Sequence, residues 1–381
     1  MNPGPAAEEL PARPTQPLTD DTFARLNEWE CRWRDRQQFL ESRGYMLRPR
    51  YQPDWIPSWR VNKESAIWCE DAIRAPLREH LIDAKRISSG TMVYIKRVKT
   101  NDNESQIATM LSSDGICRDP RNHSVPVLDL FEDVEDPDVS YMVMPFLRLI
   151  DRPALDLVEE VVEFIDQILE GLIFMHECGV AHRDCTYKNL MMDASAMYPQ
   201  GSHPINDVFL PDARTIARPL PRTSVPMRYY FVDYGLSVHI HPDAPSKLVL
   251  GVLGRDQEVP ELSDEVPYDP FAVDIFIVGN LFRHMFFEQY SNVDFLVPLF
   301  EAMIQHDAVA RPNAKEARQR WLAIRETLFA VKTRWRLRPR REPWQETVFY
   351  DLYALARISF FFRNFTMGTF VLIGAICFVR S

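Results

Sequence analysis

From Leu81 to Met144 the large apolar residues fall in short runs bounded by turns, and after Leu155 they recur at helical spacing. That change of period constrains the fold more than any other feature. Leu81 to Ile87 and Met92 to Val98, separated by Ser88-Ser89-Gly90-Thr91, predict two strands joined by a turn at Gly90, and Val139 to Met144 predicts a third. Glu104 to Leu111 predicts a short helix with Ile107, Met110 and Leu111 on one side. Val161, Phe164, Ile165, Ile168, Leu172 and Met175 then trace a long amphipathic helix. Strands first and helices afterwards imply an α+β architecture in two lobes, not an alternating βα sheet. With 46% hydrophobic and 26% charged residues, the chain has material for a core and is not wholly disordered or polytopic.

The 13 glycines are few and the 29 prolines many, and the prolines mark the loops. Residues 1–19 hold Pro3, Pro5, Pro11, Pro14 and Pro17 with almost nothing large and apolar, so a disordered tail is expected there. Residues 20–75 read as an extension: Phe23, Leu26, Trp29, Trp33 and Leu40 predict one amphipathic helix ending at Gly44, followed by an irregular stretch from Tyr51 to Trp59. A net charge of −10 disfavours nucleic acid as a partner. Cys31, Cys69, Cys117, Cys178, Cys185 and Cys377 form no CxxC pair, and the N-terminus has no signal-peptide pattern, which suits a reducing, cytosol-facing protein.

The chemistry-bearing strings come in a fixed order. Val93-Tyr94-Ile95-Lys96 lies in one predicted strand, and Met144-Pro145-Phe146-Leu147 follows another. The long helix runs into His182-Arg183-Asp184, with Lys188 and Asn189 just beyond. The apolar strand Tyr230-Phe231-Val232 ends in Asp233-Tyr234-Gly235. Val259-Pro260-Glu261, then Asp274 through Gly279, then Arg311-Pro312 complete the series.

In this order the strings resemble the eukaryotic protein kinase superfamily, over roughly Leu81 to Leu328. With Asp119 to His123 and Tyr268 to Phe271, the chain is similar to a divergent kinase-like lineage of mushroom-forming fungi. The resemblance implies a small, mostly β N-lobe (76–147), a larger α-helical C-lobe (148–329), and ATP and Mg2+ as cofactors. It implies Asp184 as catalytic base, Arg183 as the link to the activation segment, Lys188 at a catalytic-loop position, and Asn189 and Asp233 as magnesium ligands. Lys96 would contact phosphates, Glu104 would pair with Lys96, and Met144 and Phe146 would line the adenine site as gatekeeper and hinge. His182, Gly235, Glu261, Asp274 and Arg311 would be structural, Gly235 letting the chain turn and Glu261 pairing with Arg311. The last set separates this pattern from small-molecule phosphotransferases, which share the catalytic and metal residues alone.

The chain departs from the pattern in places. From Tyr45 to Ser89 there is no glycine, so the glycine-rich phosphate loop is missing. Thr186 stands where serine/threonine kinases usually carry lysine, and Gly254 where they usually carry threonine. Residues 194–227 form a proline-rich insertion, read as a loop. Ser237 and Ser246 are the hydroxyls of the activation segment, and a phosphate on Ser246 is expected to pair with Arg183.

Lys332 to Arg341 carries six positive charges in a basic linker (330–357), and Asn364 to Val379 is uncharged. Extended back to Ile358, the apolar run is long enough for a membrane helix, with Arg363 near one end. A hydrophobic C-terminal helix at 358–381 is therefore expected as a tail anchor, Phe360 to Val379 in the membrane and the basic flank on its cytosolic face. The sequence as a whole predicts a membrane-tethered protein kinase acting on a protein substrate, with a pseudokinase scaffold as the alternative.

Overall fold

The computed structural model describes residues 20–74, 79–352, 354 and 355. The expected disordered tail and the hydrophobic anchor lie outside those residues. The chain divides into two compact units, residues 1–93 with 200–218, and residues 94–199 with 219–381. The proline-rich insertion is thus shared between them.

In the first unit, the single helix expected before Gly44 is three short ones: α1 (Asp20–Ala24), α2 (Glu28–Asp35) and α3 (Gln37–Ser42). The first break is local capping chemistry. Asn27 has extended backbone, and its N–H donates to Glu30 Oε2 at 2.8 Å, so a helix must start there. The apolar spacing still works, for Trp29, Trp33 and Leu40 are buried. Strand β1 (Tyr45–Leu47) pairs antiparallel with β2 (Leu81–Arg86), Tyr45 opposite Arg86.

No tight hairpin joins these two strands. The connection includes the short helix α4 (Ser58–Asn62) and builds a small core from Trp59, Ala66, Cys69 and Ala72, against which Phe23 and Trp55 pack. Beneath it lies a buried ion pair, Arg50 Nε to Glu30 Oε1 at 2.9 Å, with no exposure of either side chain. Arg50 also donates to the carbonyls of Phe23, Arg25 and Asp71, so the charge is fully hydrogen-bonded. Residues 200–218 are ordered against this connection: Arg214 donates to the Trp68 carbonyl at 2.6 Å and ion-pairs with Glu64. His203 Nε2 lies 3.4 Å from Glu70 Oε1.

The second unit begins within β3 (Met92–Lys99), whose neighbour is β5 (Val139–Pro145); β5 in turn pairs antiparallel with β4 (Asp129–Glu132). Helix α5 (Asn103–Leu111) starts on an Asp102 cap, Oδ1 accepting the Ser105 N–H at 2.7 Å. After β6 (Arg148–Leu149) comes α6 (Val158–Glu177), with Val161, Phe164, Ile165, Ile168, Leu172 and Met175 all buried. Strands β7 (Val180–Ala181), β8 (Leu190–Asp193), β9 (Arg228–Phe231) and β10 (Val238–His239) follow; β6, β8 and β9 form one antiparallel sheet, β7 and β10 another. Strands β11 (Val249–Gly251) and β12 (Ser263–Tyr268) pair antiparallel.

Helix α7 (Pro270–Phe282) continues as a π turn to Phe287. By length and composition Pro270–Phe287 could cross a membrane, but two thirds of it is buried, as befits a core helix. Phe286 packs edge-on against Phe164 of α6. Helices α8 (Val297–Met303), α9 (Ala314–Glu326) and α10 (Ala330–Thr333) follow, and Trp321 of α9 donates to Asp166 of α6 at 2.7 Å.

Three of the six charges of the basic linker are paired. Its backbone lies against the start of α6, with the Leu337 N–H on the Asp156 carbonyl at 2.7 Å. Arg336 pairs with Glu342 and Asp351, Arg338 with Asp351, and Arg340 with Asp294. Glu342 and Asp351 lie within the linker itself, and Asp294 lies 46 residues before Arg340.

Candidate functional site

Within the second unit, β3 and α5 bring together the first two site residues. Lys96 Nζ lies 2.5 Å from Glu104 Oε1, and both side chains are about nine tenths buried. The short connection after Lys99 suffices because Asn101 takes a left-handed backbone, φ 59°, and Asp102 caps α5 at once. Lys96 also reaches Asp233 Oδ1 at 2.9 Å, and Asp233 is half exposed. Burial works against the Lys96 ammonium, but the two carboxylates outweigh it and hold its pKa above the ordinary lysine value. Burial likewise raises Glu104, opposed by Lys96.

Asp233 has φ 68°, a left-handed conformation that aspartate tolerates better than most residues. The chain therefore turns at Asp233 itself. Gly235, expected to supply that freedom, has no positive φ, and a Cβ there would make ordinary contacts with Asp233 and Glu104. Tyr234 is fully buried, its ring 5.3 Å from that of His182 and its hydroxyl donating to the Phe231 carbonyl.

Asp184 and Asn189 are joined directly. Asn189 Nδ2 donates to Asp184 Oδ2 at 2.8 Å and to its carbonyl at 3.0 Å. The other oxygen, Oδ1, accepts the backbone N–H of Arg255 at 2.9 Å. Arg255 carries no motif in the sequence; the signal is its neighbour Gly254, whose φ is 155°. Burial raises the Asp184 pKa, partly offset by the Arg255 hydrogen bond. Lys188 lies over the Tyr187 ring at 4.9 Å.

Asp274 holds this loop from beneath. It has no solvent exposure, and its carboxylate accepts the N–H groups of His182 at 2.8 Å and Arg183 at 2.6 Å. His176, which sequence reasoning passed over, adds a contact from Nε2 at 2.9 Å. The His182 ring contacts the Val232 carbonyl at 3.1 Å.

Arg183 spreads its guanidinium over the activation segment, donating to the carbonyls of Leu236 (3.3 Å) and Leu250 (3.1 Å) and to the Tyr268 hydroxyl (2.6 Å). Ser246, where a phosphate is expected, is exposed, and its Oγ accepts the Leu248 N–H. Ser237 is buried, its hydroxyl on the His182 carbonyl. Glu261 and Arg311 form a two-armed pair, at 2.5 and 2.8 Å, with Arg311 also over the Phe276 ring at 4.8 Å.

Met144 is buried at the end of β5. Phe146 just beyond packs against Tyr94, ring centroids 4.8 Å apart. Tyr94 and Lys96, two apart on β3, share a face of the strand.

Hard oxygen donors suit magnesium, which takes one or two protein oxygens and completes its shell with water and phosphate. Asp233 and Asn189 fit that description. Among the described residues no group of three or more His, Cys, Asp or Glu is arranged to hold a metal by itself.

No protein-family model matches the chain. Two curated proteins of Schizosaccharomyces pombe are similar over part of it: the serine/threonine-protein kinase ppk8, 27% identical over 112 residues (29% of this chain, 16% of that protein), and the serine/threonine-protein kinase chk1, 29% identical over 94 residues (23% and 18%). The chain thus matches less than a fifth of either relative's length. With the mixed α/β architecture, these similarities support a protein kinase-like relationship.

Proposed function

We propose that this chain is a two-lobed protein kinase that transfers the γ-phosphoryl group of MgATP to protein hydroxyls, serine or threonine before tyrosine, and that it is tethered to the cytosolic face of a membrane. The observation that carries the kinase reading is Lys96 held between Glu104 and Asp233 beside a linked Asp184–Asn189 pair.

Asp184 is the base in this reading. Hydrogen bonds from Asn189 and Arg255 fix its carboxylate, and burial strengthens it as a proton acceptor for the attacking hydroxyl. Lys96, kept charged by its neighbours, balances phosphate charge and is held in position by Glu104. Asp233 and Asn189 Oδ1 would hold magnesium, which supplies charge neutralisation at the phosphates. Asp274 keeps the loop geometry through the backbone of His182 and Arg183.

One observation favours the second reading, a binding module without turnover: the Tyr94 ring packs on Phe146, the residue that the resemblance assigns to the adenine site. MgATP binding and autophosphorylation by the full chain in detergent, with Asp184→Asn and Lys96→Met as controls, separate the two. Turnover lost in both controls is expected. A folded chain that binds no nucleotide would leave the binding module as the better account.

A further inference from the structure

Residues 344–352 are helical, and the helix turns its apolar side outward. At 100° per residue, Val348, Leu352 and Phe349 fall on one arc, flanked by Trp344 and, further along the chain, Leu355. Phe349 is 66% exposed, Leu352 63% and Trp344 72%. Val348 and Leu355 are also exposed.

The opposite side is fastened to the protein by polar contacts. Asp351 accepts hydrogen bonds from Arg336 at 2.8 Å and Arg338 at 2.6 Å, and Thr347 Oγ1 donates to Glu342 at 2.9 Å. Ala354 is buried. The orientation is therefore imposed, and five large apolar side chains on one short helix are left facing solvent, a patch of a kind that marks an interaction surface.

The sequence indicates what covers it. Directly downstream lies the apolar run from Ile358, uncharged from Asn364 to Val379. A bilayer that takes up that run would meet this helix first. Trp344 and Phe349 are aromatic residues of the type favoured at the membrane–water boundary.

We propose that residues 344–352, with Leu355, form a lipid-docking surface, lying in the bilayer interface with Val348, Phe349 and Leu352 inserted. Apolar burial is expected to drive docking more than anionic headgroups do, because three of the six linker charges, Arg336, Arg338 and Arg340, are paired with Glu342, Asp351 and Asp294. The inference rests on the tethering part of the proposed function and is independent of phosphotransfer.

The test presents the full chain, diluted from detergent, to vesicles of phosphatidylcholine alone and to vesicles with added phosphatidylserine. Flotation is compared between wild type and the double variant Phe349→Glu/Leu352→Glu, whose exposed positions leave the core intact; a melting curve checks this. The difference in quenching by brominated phosphatidylcholine between wild type and Trp344→Phe reports the depth of the helix. Expected are flotation of both forms, held by the anchor, quenching of Trp344 to a similar extent on both vesicles, and loss of most of that quenching in the double variant. Trp344 shielded from the quencher in wild type, or quenched equally in the double variant, would overturn the proposal, whereas wild type that fails to float would overturn the tethering on which it rests. A lipid-free dimer that the same variant dissolves would also overturn the proposal, since a second copy would then be the occupant. Phosphotransfer can fail in every sample without altering these readouts.

Discussion

Arg183 donates to the Tyr268 hydroxyl at 2.6 Å, and that hydroxyl donates onward to the Gly251 carbonyl at 2.7 Å. The guanidinium thus finds neutral oxygens where a phosphate would otherwise balance it. Gly251 is required for this approach: φ is 131°, and a Cβ would stand 2.7 Å from Arg183 Nη2. The segment is expected to be ordered without modification. Ser246→Ala should keep turnover within about twofold, whereas Tyr268→Phe removes a hydrogen bond to a charged donor, worth about 1.5–3 kcal/mol, and should lower kcat/KM by roughly tenfold or more. Steady-state rates on dephosphorylated protein check this, and an inactive Ser246→Ala would sink it.

The Tyr94–Phe146 contact makes a prediction of opposite sign. A base entering between these rings must first separate them, forgoing an aromatic contact worth about 0.5–1.5 kcal/mol. Tyr94→Ala is expected to tighten MgATP binding by about two- to tenfold, measured by titration calorimetry. Weaker binding in the variant would mean that Tyr94 itself stacks on the base.

Elements with strong apolar periodicity were legible in the sequence: β2, β3, β5, α5 and α6 lie within a few residues of where spacing places them. What spacing could not convey was interruption by capping, as at Asn27, or pairing between distant charges, as between Arg336 and Asp351. Local strings pointed to Asp184, Asn189, Asp233 and Lys96, and the structure joins Asn189 to Asp184 and Lys96, inside β3, to Asp233. They did not reveal Arg255, which acts through its backbone N–H and carries no side-chain signature. Tyr268 was quoted as part of a string, yet its role depends on a contact 85 residues away.

The raised Asp184 pKa sets a pH dependence. A base must be deprotonated to work, and burial shifts its titration upward, so activity should be full at neutral pH and fall as the medium is acidified through that raised pKa. The acidic limb of kcat/KM against pH should therefore lie above the ordinary aspartate range. Arg255→Pro removes the N–H that favours the charged form and should move that limb higher still. A limb at or below the ordinary range would show that Asp184 is not the titrating base.

Arg311 has a fully buried side chain whose charge is balanced by Glu261 and whose remaining donors reach the carbonyls of Gln305, His306 and Ala272. Removing one partner leaves the other uncompensated in a dry site, which costs about 3–5 kcal/mol. Glu261→Gln keeps the shape and loses the charge, so it should lower the unfolding midpoint markedly, by more than Glu258→Gln, whose pairs with Arg283 and His284 are half exposed. Charge reversal at both positions, Glu261→Arg with Arg311→Glu, would recover part of the loss if the pair itself matters and none if the site needs arginine's planar fork over the Phe276 ring. Chemical denaturation of the three variants decides between the two, and a Glu261→Gln midpoint equal to wild type would show that the pair contributes nothing to the fold.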